Sequence, residues 1–221
     1  MAELLYKWPV AAKFGSRVPK EKFYEYGTVS TLVREKFVSE VQRITWGYKL
    51  AESTINLPGD RSVPEIQVFQ IDAKTADIDD RVLFAIDKAV HYPLIFEVKR
   101  ATPDGQQIRM TAAHKQLGSG ALKLSAYFST GWFPEAAERQ SLPTATTLST
   151  LYVAILEPLA PVKVRPGEGM AEVADRLEIV SKLEREITAL ERKLRTEPQL
   201  NRKIELRRIL KAKHHEIEQQ R

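Results

Sequence analysis

The sequence predicts an α/β protein: a mixed β-sheet with flanking helices, followed by a C-terminal antiparallel helical hairpin of coiled-coil type. Three observations predict this class. Residues 65–115 alternate strand-like and helix-like apolar periods around a turn. Residues beyond 170 repeat apolar side chains in steps of three and four. Pro161, Pro166 and Gly167 separate the two patterns. The expected organisation is a globular domain over 1–160, a Pro/Gly linker over 161–170 and the hairpin over 171–221.

In residues 65–73, Ile66 and Val68 point to one face and Phe69 and Ile71 to the other. Apolar groups on both faces predict an interior strand. Asp77, Asp79 and Asp80 precede Val82, Leu83, Ile86 and Val90 at helical spacing, which predicts a helix over 80–90. Carboxylates there accept from the unpaired N–H groups of the first turn and favour the positive helix end. Pro93 stops that helix, and Leu94, Ile95 and Phe96 open a second strand over 94–99. Strand, helix and strand in succession predict a parallel pair. Thr102-Pro103-Asp104-Gly105 is a turn signal, so the strand over 107–115 should fold back as a hairpin.

The flanks follow the same rules. Residues 1–27 read as an arm lying on the domain, where Lys13, Arg17, Lys20 and Lys22 interleave with Phe14, Phe23, Tyr24 and Tyr26. Cations between rings suit a nucleic-acid backbone and unpaired bases. The plainer alternative packs the rings on the domain and leaves the lysines in water. Residues 29–44 predict a helix capped by Ser30 or Thr31, with a stripe of Leu32, Phe37, Val41 and Ile44. Residues 45–57 read as β-like, with Trp46, Tyr48 and Leu50 alternating and 54–57 continuing the pairing. Pro58-Gly59-Asp60 closes that segment. Residues 117–120 form a loop without the spacing of a phosphate loop. A strand over 122–129, a loop over 131–142 and a short helix over 148–156 complete the domain.

In the tail, Val180, Leu183, Ile187, Leu190 and Leu194 form a seam expected to bind a partner or a second copy. Pro198 interrupts it, and a second helix carries Leu200, Ile204, Leu206, Leu210 and Ile217. Arg202, Lys203, Arg207, Arg208, Lys211 and Lys213 stand there against one acid, Glu205. That is either a phosphate-contacting surface or a solvated helix face.

Composition narrows the function. The absence of cysteine excludes disulfides and cysteine metal sites and fits a reducing cytoplasm. No apolar run reaches the roughly 18 residues of a membrane-spanning helix, and the start lacks the pattern of a signal peptide. The expectation is a cytoplasmic protein without membrane contact. The net charge of +5 is uneven: residues 1–43 carry +3, residues 44–170 carry −1 and residues 171–221 carry +3. An anionic partner such as DNA would meet the ends.

One pattern suggests an enzyme. Glu97-Val98-Lys99 on a strand is the Glu-x-Lys half of a PD-(D/E)xK nuclease site, in which the carboxylate holds Mg²⁺ and the lysine assists the attacking water. Asp72 or Glu65 would supply a second carboxylate. The intervening helix and the acid-free third strand, with Arg109, Thr111 and Lys115, count against it. His91, His114, His214 and His215 lack zinc-ligand spacing. No cofactor is expected, apart from Mg²⁺ if the nuclease alternative holds.

Several runs together resemble an uncharacterised bacterial family, domain of unknown function 4391. They are Phe14-Gly15 with Val18-Pro19-Lys20, then Trp46-Gly47-Tyr48-Lys49-Leu50-Ala51 and the following Glu52-Ser53-Thr54-Ile55-Asn56-Leu57. Pro64-Glu65-Ile66-Gln67-Val68-Phe69, the run 86–97 around Pro93, Trp132-Phe133-Pro134 and the basic hairpin complete the set. The resemblance implies an accessory gene beside helicases and DNA methyltransferases in restriction or phage-defence neighbourhoods. It carries over no catalytic residue, and Lys99 departs from the family's usual text. The expected function is an accessory subunit that docks on a helicase or methyltransferase through the hairpin and grips DNA with its basic ends. The alternatives are the nuclease using Asp72, Glu97 and Lys99, and a structural adaptor without DNA binding.

Overall fold

Proline and the lysines near its start shape the entry to the fold. β1 (Tyr6–Lys7) runs to Pro9, which opens a single 3₁₀ turn, Val10–Ala12, before β2 (Lys13–Arg17). α1 (Glu21–Glu25) and α2 (Thr31–Glu40) lead into β3 (Val41–Leu50), then α3 (Glu52–Ile55) and β4 (Ile66–Ala73). α4 (Asp80–Ala89) crosses to β5 (Leu94–Thr102), which turns into β6 (Gly105–Gln116). β7 (Lys123–Ser129), β8 (Phe133–Pro134), β9 (Gln140–Ser141) and α5 (Leu148–Leu156) follow. The tail holds α6 (Met170–Thr196) and α7 (Leu200–Gln220). This computed structural model describes residues 4–25, 29–116, 123–160, 165 and 168–220. Tyr26, the loop over 117–120, Leu122, Pro161, Pro166 and Gly167 lie outside the described residues.

Among the described residues the chain builds a seven-stranded mixed sheet in the order β2-β3-β4-β5-β6-β7, with β8 on β6. β4 and β5 are parallel, with Gln70 opposite Glu97 and Asp72 opposite Lys99. The other neighbours are antiparallel, including the predicted β5–β6 hairpin. β1 and β9 form a separate parallel pair. Two compact units result, Met1–Pro161 and Val162–Arg221.

Inside the first unit, one sheet face buries Phe69, Ile71, Phe96 and Val98 against Phe37 of α2 and Val82, Leu83 and Ile86 of α4. Ser30 caps α2 and Asp79 caps α4, each accepting from a first-turn N–H. On the other face, the Tyr152 hydroxyl of α5 donates to the Ala113 carbonyl at 2.8 Å and accepts from the Lys115 N–H at 3.1 Å. It thereby fills the irregularity in the β6–β7 ladder between Ala113 and Lys115. The C-terminal end of α4 is closed by Lys115, which is only 2% exposed. Its Nζ donates to the carbonyls of Asp87, Val90 and Tyr92 at 2.8, 2.9 and 2.8 Å and pairs with the Asp87 carboxylate at 2.8 Å. A cation among the last carbonyls of a helix satisfies orphan acceptors and complements the dipole.

Four local expectations are corrected. The helix over 29–44 ends at Glu40, and Val41 to Ile44 begin β3. Lys20 donates to the Phe37 and Val41 carbonyls and Lys74 to the Val38 carbonyl, so basic side chains terminate the helix before the β-branched run. Leu32, placed in the apolar stripe, is half exposed. Residues 54–57 do not extend the strand. The Thr54 hydroxyl accepts from the Ala51 N–H and donates to the Lys49 carbonyl, which turns the chain into α3. The loop over 131–142 contains the short strands β8 and β9.

In the second unit α6 and α7 pack antiparallel around Leu183, Ile187, Leu210 and Ile217, with Leu190 and Leu194 against them. Four of the five predicted seam residues of α6, Leu183, Ile187, Leu190 and Leu194, thus pack within the hairpin. The register of α7 differs from the expectation. Leu200 and Ile204 are 69% and 56% exposed, while Lys203, Leu206, Leu210, Lys213 and Ile217 face inward at steps of three and four. The Arg176 guanidinium holds the Glu168 carboxylate by two bonds of 2.7 Å.

Candidate nucleic-acid interface

A one-residue bulge positions the centre of the site. Lys13 pairs with Tyr48 and Ser16 with Trp46, so β2 carries one residue more than β3 over that interval. Gly15 absorbs it at φ 70°, where a side chain would be strained. The bulge turns Phe14 onto Trp46, with ring centroids 4.0 Å apart, and leaves Phe14 50% exposed. The Trp46 indole N–H donates to the Tyr48 carbonyl at 3.0 Å, which holds the ring in place. Phe23 is buried against Phe37 and Phe69. The arm's rings therefore divide: Phe23 is core and Phe14 faces outward.

Arg17, at the end of the same edge strand, lines three clefts. The first, about 480 Å³, is polar and holds Gln42, Arg43, Asp72, Lys99 and Glu135. The second, about 630 Å³, holds Lys20, Arg34 and Arg43 against one acid, Glu21. The third, about 400 Å³, is walled by Phe14, Trp46, Phe69, His91 and Tyr92. Arg43 bonds Asp72 at 2.6 and 2.7 Å and Lys99 bonds Glu135 at 2.6 Å. Arg17 is exposed and has no carboxylate partner among the described residues. The polar cleft therefore presents three cations against two carboxylates, with one cation unspent.

The structure brings Asp72, Glu97 and Lys99 onto one sheet face at the carboxyl edge of the parallel pair, as the parallel reading implies. Each of the three already has partners: Asp72 has Arg43, Lys99 has Glu135, and Glu97 has several. Glu97 is wholly buried. One of its oxygens accepts from the Trp8 indole at 2.8 Å and Arg139 at 2.6 Å, and the other accepts from Gln70 at 2.9 Å. Arg139 also donates to the Tyr6 carbonyl at 2.7 Å. A metal at Glu97 would have to displace a guanidinium held at hydrogen-bond distance. Glu65 lies at the opposite end of β4, between Lys49 at 3.0 Å and Gln67 at 2.6 Å. Among the described residues no three His, Cys, Asp or Glu side chains come together as metal ligands, and no helix is long and apolar enough to cross a membrane.

The remaining basic candidates sort by what they touch. Lys20 caps α2, and burial, reinforced by the nearby Lys74, pulls its pKa below the usual lysine value. Lys13 and Lys22 are exposed. In the hairpin, Lys213 is held by Glu186 at 2.9 Å and Glu216 at 3.3 Å, and Lys203 is half-buried. Arg202, Arg207, Arg208 and Lys211 are exposed.

Residues 7–217 match the family described as Domain of unknown function (DUF4391). The chain belongs to that family. The DUF4391 match spans the bulged edge strand, the clefts and both helices of the hairpin. No curated protein and no solved structure matches the chain.

Sequence reasoning missed Arg43, Arg139 and Trp46 as site residues. Arg43 and Trp46 become visible once 41–50 is read as one strand, because β2 then pairs with it through Arg17 and Thr45. Arg139 lies 42 positions from the carboxylate it neutralises and has no local signal.

Proposed function

We propose that this protein is a non-enzymatic accessory subunit of a bacterial DNA-acting restriction or phage-defence assembly. It grips nucleic acid along the bulged edge strand and docks on a helicase or DNA methyltransferase through its coiled-coil hairpin, in the cytoplasm. The observation that carries the reading is Arg17, an exposed guanidinium without a carboxylate partner among the described residues, shared by a polar, a basic and an aromatic cleft. Phosphate binding is dominated by such cations, and a row of them along one edge suits a backbone more than a compact metabolite. Arg43 and Lys99 add to the row by exchanging their carboxylates for phosphate. Exposed Leu200 and Ile204 on α7, beside Arg207, Arg208 and Lys211, support a docking face for a protein partner. The seam residues Val180, Leu183, Ile187, Leu190 and Leu194 serve that face by holding the hairpin together.

The test measures binding of the full chain to labelled DNA over about 50–200 mM salt, with a nicking assay in Mg²⁺. The expected result is affinity that falls steeply with salt, survives Glu97→Gln, and comes with no nicking. Metal-dependent nicking abolished by both Glu97→Gln and Lys99→Ala would establish the nuclease instead. No binding at low salt, alone or with the partner, would leave the structural adaptor.

A further inference from the structure

We propose that the aromatic slot beside Arg17 takes one unpaired nucleobase, so that the interface prefers single-stranded nucleic acid. This rests on the nucleic-acid reading above and adds the substrate class. The slot offers what a base needs. Phe14 presents a half-exposed ring backed by Trp46 at 4.0 Å, and Trp46 is backed in turn by Phe69 at 6.2 Å. Because the indole N–H is committed to the Tyr48 carbonyl, the pair offers ring faces rather than a hydrogen bond. His91 and Tyr92, edge to face at 5.5 Å, form another wall. Stacking of this kind tolerates any base, since every base has a π-face.

The size and polarity of the slot agree. About 400 Å³ is near the lower end of small-ligand sites, which span roughly 300–1,000 Å³, and suits one nucleoside. Gln67 lines the slot and is only 4% exposed. Its amide N–H donates to Glu65 at 2.6 Å, and among the described residues its amide oxygen has no donor, so it can accept from the N–H edge of a base. Arg17 and Lys22 line the same slot and supply the cations for the flanking phosphates. An apolar peptide side chain would have no use for those cations. A duplex keeps its bases stacked and paired, so it reaches Arg17 and gains nothing from the slot.

The experiment titrates the full chain with single-stranded DNA, with duplex DNA of equal charge and with adenosine monophosphate, reading anisotropy and tryptophan fluorescence. Phe14→Leu should weaken single-strand binding roughly 5- to 150-fold, the range for loss of one stacked base, and leave duplex affinity unchanged. Phe14→Trp, which keeps a stacking ring, should restore the affinity, and Arg17→Ala should weaken both polymers. Adenosine monophosphate should quench the fluorescence of the wild type and not that of Phe14→Leu. Equal single-strand affinity in wild type and Phe14→Leu would overturn the slot while leaving the phosphate interface standing. If neither polymer binds yet the mononucleotide still quenches through Phe14, the slot survives and the polymer reading fails. If the mononucleotide leaves the wild-type fluorescence unmoved, the slot is overturned whichever way the polymers behave.

Discussion

Replacing Glu97 with alanine separates a structural carboxylate from a catalytic one. The wild-type side chain accepts from Trp8, Arg139 and Gln70 at 2.6–2.9 Å and is wholly buried. Alanine leaves the Arg139 charge uncompensated, and breaking a buried pair from one side costs about 3–5 kcal/mol. The Trp8 and Gln70 N–H groups lose their acceptor too, at about 1–3 kcal/mol each if water stays out. Arg139 is 24% exposed, so water recovers part of its loss, and the penalty should settle near about 4 kcal/mol. All three tryptophans, Trp8, Trp46 and Trp132, lie in the first unit, so their fluorescence reports its unfolding. With a urea dependence of about 2 kcal/mol per molar, the midpoint should fall by about 2 M. Glu97→Gln keeps one acceptor oxygen and should lose about half as much. A midpoint unchanged or raised in Glu97→Ala would refute the structural assignment, because a carboxylate kept for catalysis is expendable for stability.

Three further outcomes follow from the same contacts. Lys115→Met takes the donor from three carbonyls and the counter-ion from the buried Asp87 carboxylate, which keeps the Tyr127 hydroxyl, and should destabilise the first unit by about 3–5 kcal/mol, with hydrogen exchange quickening first at the end of α4. Gly15→Val forces a β-branched residue to φ 70°, a cost of about 1–3 kcal/mol if the bulge persists. It should also weaken single-strand binding as Phe14→Leu does, measured by anisotropy. Arg176 holds the Glu168 carboxyl down to about 2 from its usual 4.5. A depressed carboxylate stabilises the folded hairpin above the unfolded pKa and loses that contribution as pH falls from about 4.5 towards 2. The gap in thermal midpoint between wild type and Glu168→Gln, followed by circular dichroism, should therefore be full at neutral pH and close across that window.

The central strands and helix were legible because each was punctuated by residues with one physical meaning. Asp79 caps α4, Pro93 separates it from β5, and Pro103-Asp104 turns β5 into β6. The end of α2 was not legible, because Lys20 and Lys74 stop it from a distance and Leu32 mimics a buried face. The register of α7 slipped because Leu200 and Ile204 read as seam residues, although the half-buried Lys203 and Lys213 occupy inward positions, the Lys213 ammonium held by Glu186. The site was legible in part. The alternation of rings and cations pointed to Phe14 and Arg17, and β4–β5 pairing to Asp72 and Glu97. What the sequence withheld is that Trp8 and Arg139 converge on Glu97 from remote segments, which ties the N-terminal arm to the sheet.

The most direct test of the account is the salt dependence of DNA binding by the full chain, compared with Arg17→Ala. If Arg17 contacts a phosphate, the substitution should lower affinity for every sequence alike and reduce the slope of log affinity against log salt by about 1. An unchanged affinity and slope in Arg17→Ala would contradict the account and move any nucleic-acid contact away from the bulged edge strand.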